Sequence, residues 1–174
     1  MELQFLYYLQ SLHTPALDSF MTTVFSTLVG SKGEIWIILG ILLIVFPKTR
    51  KTGVLVLASY IVAYFIGDGI LKNLIARPRP CTVDETVELL VSRSTSYSCP
   101  SVHSMLAFAS ASAIAYNHRK AGIAAMIFAL LIGFSRLYFF VHYPTDVLLG
   151  AILGALIGFT ISYLCRNWST VHLS

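Results

Sequence analysis

Residues 53–80 read GVLVLASYIVAYFIGDGILKNLIARPRP. The first part is apolar for long enough to cross a bilayer, which takes about 20 residues of helix. Asp68 and Lys72 then interrupt it. An ionisable residue inside an apolar helix is costly and marks a functional position by default. Pro78 and Pro80 stop the helix and extend the chain. Arg79 is then free to fold back toward Lys72. The stretch therefore reads as a membrane span with a polar, cationic outlet. The rival reading is a pair of basic residues snorkelling at a membrane edge.

The rest of the chain repeats this grammar. Of 174 residues, 56% are hydrophobic and 11% charged, against about 25% charged in a soluble domain. Apolar runs occupy about 15–31, 33–47, 53–75, 101–117, 121–141 and 144–166. The expected fold is all-α: one domain, 1–174, forming an integral membrane bundle of about six transmembrane helices. Residues 1–14, with Phe5, Tyr7 and Tyr8, read as an interfacial helix. They contain Glu2 and no basic leader, so the segment is expected to be retained. The Gly150, Gly154, Gly158 spacing predicts close helix packing within the chain.

The net charge of +4 does not point to nucleic acid, because the basic residues form short clusters between apolar runs. Six alternating spans put Lys48, Arg50, Lys51, Arg119, Lys120 and Arg166 on one side. The positive-inside rule makes that side cytoplasmic. The loop at 76–100 then faces outward. Lys72, Arg77, Arg79, Arg93 and Arg136 lie toward the outer side against that rule, and an anionic ligand would account for them.

Two further polar clusters open or close spans on the same side. Cys99-Pro-Ser-Val-His103-Ser104 starts the fourth span. Ser101 is a good N-cap, and the free N–H groups of a first helical turn attract anions. Ser135-Arg136 closes the fifth span, and His142-Tyr-Pro-Thr-Asp146 leads into the sixth. Asp146 is placed to accept the His142 Nδ1–H, which would leave Nε2 as a nucleophile. Alone, each cluster also reads as an ordinary helix cap. Together they bring three cations and two histidines to one face, a set suited to phosphoryl transfer.

These clusters resemble the three-part signature of the type 2 phosphatidic acid phosphatase (PAP2) superfamily: K-x6-R-P, P-S-G-H and S-R-x5-H-x3-D. Lys72 to Arg79-Pro80, Pro100-Ser101-Val102-His103, and Ser135-Arg136 with His142 and Asp146 carry the resemblance, over about residues 55–160. It implies a metal-independent histidine phosphatase with no cofactor. His142 would attack phosphorus, Asp146 would support it, and His103 would protonate the leaving oxygen. Lys72, Arg79, Ser101, Val102 and Arg136 would hold the phosphoryl oxygens, the valine through its N–H. Val102 replaces the usual glycine and is expected to be tolerated if the site needs only a helical first turn. Asp68 is expected to keep Lys72 charged and aimed. Cys81 and Cys99 flank the outer loop and are expected to form a disulfide, with a contribution of roughly 3 kcal/mol. His13, His118 and His172 read as interfacial or solvated, and Tyr138, Phe139, Phe140 and Tyr143 as an outer aromatic belt and span packing rather than a cofactor box.

The resemblance implies hydrolysis of a membrane lipid phosphate or pyrophosphate: undecaprenyl diphosphate, phosphatidylglycerophosphate, phosphatidic acid or the 1-phosphate of lipid A. The expected setting is the cell membrane, with the active site facing the periplasm or exterior. Lipid is the only expected partner; no nucleic acid and no obligate protein partner are expected. The alternatives are a phosphatase of soluble esters and a non-catalytic lipid-phosphate binder or transporter.

Overall fold

The computed structural model describes residues 1–168, and those residues are helical without strands. The elements are α1 (Glu2–Ser11), α2 (Pro15–Thr22), α3 (Ile35–Val45), α4 (Arg50–Tyr64), α5 (Lys72–Ile75), α6 (Pro80–Val83), α7 (Val102–Asn117), α8 (Arg119–Tyr138) and α9 (Pro144–Leu164). A π-helical turn, Thr23–Leu28, continues α2, and a second, Phe65–Leu71, joins α4 to α5. Each expected span matches a helical segment. The stretches Arg50–Val83, Arg119–Tyr138 and Pro144–Leu164 are long and apolar enough to cross a membrane. Residues 15–28, α3 (11 residues) and α7 (16 residues) are shorter than a free-standing span.

The shortness of α7 has a physical reason. It is the bundle's central helix, packed by α4, α8 and α9, and its N-terminal end stops at the floor of a cavity. Small residues let the neighbours close in. A Cβ added at Gly150 would lie 2.5 Å from the Ser101 carbonyl oxygen, and at Gly154 and Gly158 2.2 Å from those of Met105 and Ala109. The glycine stripe is therefore an intramolecular contact along α7. On the opposite face of α9, Leu148, Ile152, Leu156 and Phe159 are exposed, as a lipid-facing surface requires.

Local chemistry sets the helix ends near the site. Ala76 adopts φ +50°, a left-handed C-cap that terminates α5. Pro144 occupies the first turn of α9, and Asp146 accepts the backbone N–H of Tyr143 at 2.9 Å. The basic clusters gather at the other end of the bundle, where the Lys51 ammonium donates to the Arg166 carbonyl at 2.9 Å. There His118 sits 3.0 Å from Thr52 Oγ1. His13 stacks on Tyr138 and pairs with Asp18 at 3.2 Å. His172 lies outside the described residues.

Helix α1 crosses the end of the bundle at which α8 ends, with Leu6 and Leu9 buried. Tyr7 donates to Asp84 at 2.6 Å, and Gln10 to the Tyr138 carbonyl at 2.9 Å. These bonds tie it to the 76–100 loop and to the end of α8.

Candidate active site

A cavity of about 510 Å³ opens at the end of the bundle where α7 begins and α5 and α8 end, and Lys72, Arg79, His103, Arg136 and His142 all line it. Residues up to 70 positions apart in sequence meet there because the segments that carry them end at the same level.

His142 is 3% exposed. Its Nε2 lies 3.2 Å from Arg79 Nη1. Its Nδ1 is 3.8 Å from Asp146 Oδ2, beyond hydrogen-bond reach. Ser98 fills the gap: its hydroxyl donates to Asp146 Oδ2 at 2.5 Å and lies 3.4 Å from His142 Nδ1. With that hydroxyl proton on Asp146, the Ser98 oxygen can accept the Nδ1–H, and Nε2 keeps its lone pair. Burial, with the Arg79 charge beside it, pushes His142 down to about 4 against the pull of Asp146. The imidazole is therefore neutral at pH 7, the form a nucleophile needs. Asp146 is fully buried, and its other oxygen accepts Arg77 Nη1 at 2.8 Å. Arg77 also donates to Glu2 at 2.7 Å and covers the Tyr143 ring at 3.8 Å. Glu2, on α1, thus anchors the support of His142 from the far side.

The cations are aimed by carbonyls, hydroxyls and one carboxylate. Arg79 Nε donates to the Ser96 carbonyl at 2.7 Å, and Nη1 to that of Val141 at 2.9 Å. Arg136 Nη2 donates to the Phe25 carbonyl at 2.6 Å, and its Nε to Ser135 Oγ at 3.0 Å. The Lys72 ammonium pairs with Asp68 at 2.9 Å and donates to Ser96 Oγ at 3.1 Å. Each keeps its fixed position while leaving N–H groups for an anion.

Val102 opens α7, and its φ is not in the left-handed region. The valine therefore fits where glycine is usual. The N–H groups of the first turn point toward the cavity end of the helix, which adds to the anion-binding field. The Ser101 hydroxyl is fully buried and turned inward. It accepts Ser104 Oγ–H at 2.9 Å and caps the helix. It does not line the cavity as direct phosphate contact would require. His103 does, with Nε2 3.3 Å from the Gly30 carbonyl.

A family model described as the PAP2 superfamily matches residues 52–170. The chain belongs to the PAP2 superfamily. It is 35% identical over 151 residues to undecaprenyl-diphosphatase BcrC of Bacillus subtilis, covering 84% of this chain and 74% of the relative. It is 34% identical over 126 residues to an undecaprenyl-diphosphatase of Sulfolobus acidocaldarius, covering 72% of this chain and 61% of that longer relative. The crystal structure of a PAP2-type phosphatidylglycerolphosphate phosphatase from Bacillus subtilis superposes with a TM-score of 0.77 at 28% identity. It covers 98% of this chain and 87% of the other. Aquifex aeolicus LpxE gives a TM-score of 0.71 at 25% identity, covering 93% and 94%.

Two features of this PAP2 site were not read in the sequence. Ser96 and Ser98 sit in a serine-rich loop where nothing distinguishes them from Ser92 and Ser94. The one signal is that Ser98 lies three residues before the helix cap. The expected Cys81–Cys99 disulfide is corrected: both are buried free thiols. Burial pushes Cys99 up to about 11. The loop is held instead by hydrogen bonds. The Arg93 guanidinium donates to the carbonyls of Cys81, Glu85 and Val87, and the Ser98 N–H to that of Arg77.

Proposed function

We propose that this protein is a membrane lipid phosphatase that hydrolyses a lipid phosphate or diphosphate through a phosphohistidine on His142. The observation that carries the reading is a buried, neutral His142 whose Nε2 shares one cavity with Arg79, Lys72, Arg136 and His103. A phosphoryl group entering that cavity displaces Arg79 from Nε2 and takes its N–H groups. His142 then attacks phosphorus as the P–O bond to the leaving group breaks, with the cations holding the equatorial oxygens. His103 delivers a proton to the leaving oxygen and next takes one from the water that releases phosphate. Asp146, through Ser98, stabilises the charge that develops on the His142 ring.

Two of the relatives are undecaprenyl-diphosphatases, which supports a polyprenyl diphosphate substrate. The exposed apolar faces flanking the cavity suit a lipid whose tail stays in the bilayer. The basic end of the bundle is assigned to the cytoplasm and the cavity to the exterior or periplasmic side of the cell membrane, following the positive-inside rule.

The test is phosphate release by purified protein in detergent, with chelator present, across undecaprenyl diphosphate, phosphatidylglycerophosphate, phosphatidic acid, lipid A and a soluble sugar phosphate. Release from a lipid that persists in chelator and disappears in His142→Ala is the expected result. Equal release by His142→Ala would remove the nucleophile assignment, and preference for the soluble ester would remove the lipid one.

A further inference from the structure

The cavity is lined by two basic residues outside the three signature clusters, Lys32 and Arg93. Arg93 is occupied by three loop carbonyls and acts as a staple. Lys32 differs from every other cation in the cavity. It is exposed, and among the described residues its ammonium hydrogen-bonds only the Tyr64 hydroxyl, at 3.0 Å, above the Tyr64 ring. It has no carboxylate within 4 Å among the described residues, whereas Lys72 is already paired with Asp68.

Its backbone is built rather than loose. Tyr60 donates to the Lys32 carbonyl at 2.7 Å, and the Lys32 N–H donates to Glu34 at 2.9 Å. Gly30, at φ +84°, makes this turn possible, since a Cβ there would meet the Glu34 carboxylate at 2.0 Å. The same turn binds His103, whose Nε2 faces the Gly30 carbonyl at 3.3 Å. Lys32 is therefore fixed two residues from the group that tethers the proposed acid.

That placement has a chemical meaning, resting on the proposed function. His103 marks the side of the cavity to which the leaving group departs. A monophosphate ester leaves as a neutral alcohol. A diphosphate leaves as a phosphate that stays charged. With Lys72 offset by Asp68, Arg79 and Arg136 remain for the transferred phosphoryl group. The cation left over lies on the leaving-group side, where only a diphosphate leaves a group that stays charged.

We propose that Lys32 selects lipid diphosphates by binding the leaving-group phosphate. In the step, the His142 Nε2–P bond forms on the terminal phosphorus. The P–O bond to the bridging oxygen breaks. That oxygen takes the His103 proton, and the lipid monophosphate leaves paired with Lys32. Water then splits the phosphohistidine to inorganic phosphate and free imidazole.

The experiment measures kcat/KM for farnesyl diphosphate and farnesyl phosphate with wild type, Lys32→Gln and Lys32→Arg. In Lys32→Gln the diphosphate-to-monophosphate ratio is expected to fall at least about tenfold, the scale of one charge-assisted contact. Lys32→Arg should restore most of it. An unchanged ratio in Lys32→Gln, including an equal loss on both substrates, would overturn the assignment while leaving the phosphatase reading standing. A wild-type protein inactive on both lipids would instead overturn the phosphatase reading, and this assignment with it.

Discussion

The two ends of the bundle carry the same kinds of side chain and use them differently. At the basic end, Lys48, Lys51, Arg119 and Lys120 lie on or near the surface, and a cavity there is lined by Leu43, Ile114 and the start of α8, among others. At the other end, Lys72, Arg79 and Arg136 are buried, and each is bonded to a carboxylate, hydroxyl or carbonyl that fixes its direction. Burying a cation is costly unless it is paired. A fold that buries three beside two histidines maintains that cost for a ligand. The basic end is consistent with topology alone, where charge is needed but direction is not.

Substitutions at the two ends should separate accordingly. His142→Ala should lower lipid phosphate release by about 10⁴-fold or more, to background, as loss of a nucleophile does. Arg79→Ala or Arg136→Ala should cost about 10²–10³ in kcat, the scale of one fixed charge contact to the transition state. Arg119→Ala and Lys120→Ala should stay within about twofold, since neither approaches the cavity. Comparable losses at both ends would break the contrast.

The support of the proposed nucleophile gives a smaller effect. Ser98→Ala should lower kcat about 10- to 100-fold with little change in KM, the loss typical of a group orienting a ligand or base. Ser98→Thr, which keeps the hydroxyl, should recover part of it. No loss in Ser98→Ala would mean that Asp146 acts on His142 directly, across a gap that closes on binding.

The sequence displayed the helices, the three clusters and the packing stripe because each is a local pattern: an apolar run, a fixed spacing, a glycine every fourth residue. Lys72 and Asp68, one helical turn apart, could be paired on paper. Ser98 could not, because its role depends on the 3.8 Å separation between His142 and Asp146, set by how α9 begins. Arg77 was visible only as a charge against the topology rule; its bonds to Asp146 and Glu2 span 69 and 75 residues. The cysteines misled for the same reason. Adjacency to two converging motifs suggested a bridge, while the loop's hydrogen bonds already hold its ends.

Packing and pH provide the smallest effects. Gly154→Ala should destabilise the bundle by about 1–3 kcal/mol, because its Cβ meets the Met105 carbonyl oxygen at 2.2 Å. A lower melting temperature in detergent would show it. The His142 ring holds its lone pair to about pH 4, below the usual histidine value of 6.5. The unfolded chain therefore takes up a proton there that the folded one refuses. Stability from this residue is present above pH 6.5 and is lost as pH falls toward 4. The melting temperature of wild type should drop more over that window than that of His142→Gln.

The most direct test of the central claim is to trap the intermediate. Lipid labelled with ³²P in the transferred phosphoryl group is mixed with protein, quenched in denaturant at alkaline pH, and the digested protein is mapped. An acid-labile, base-stable label on the peptide carrying His142, absent from His142→Ala, is the predicted result. Label on another residue, or turnover by His142→Ala at the wild-type rate, would contradict the account.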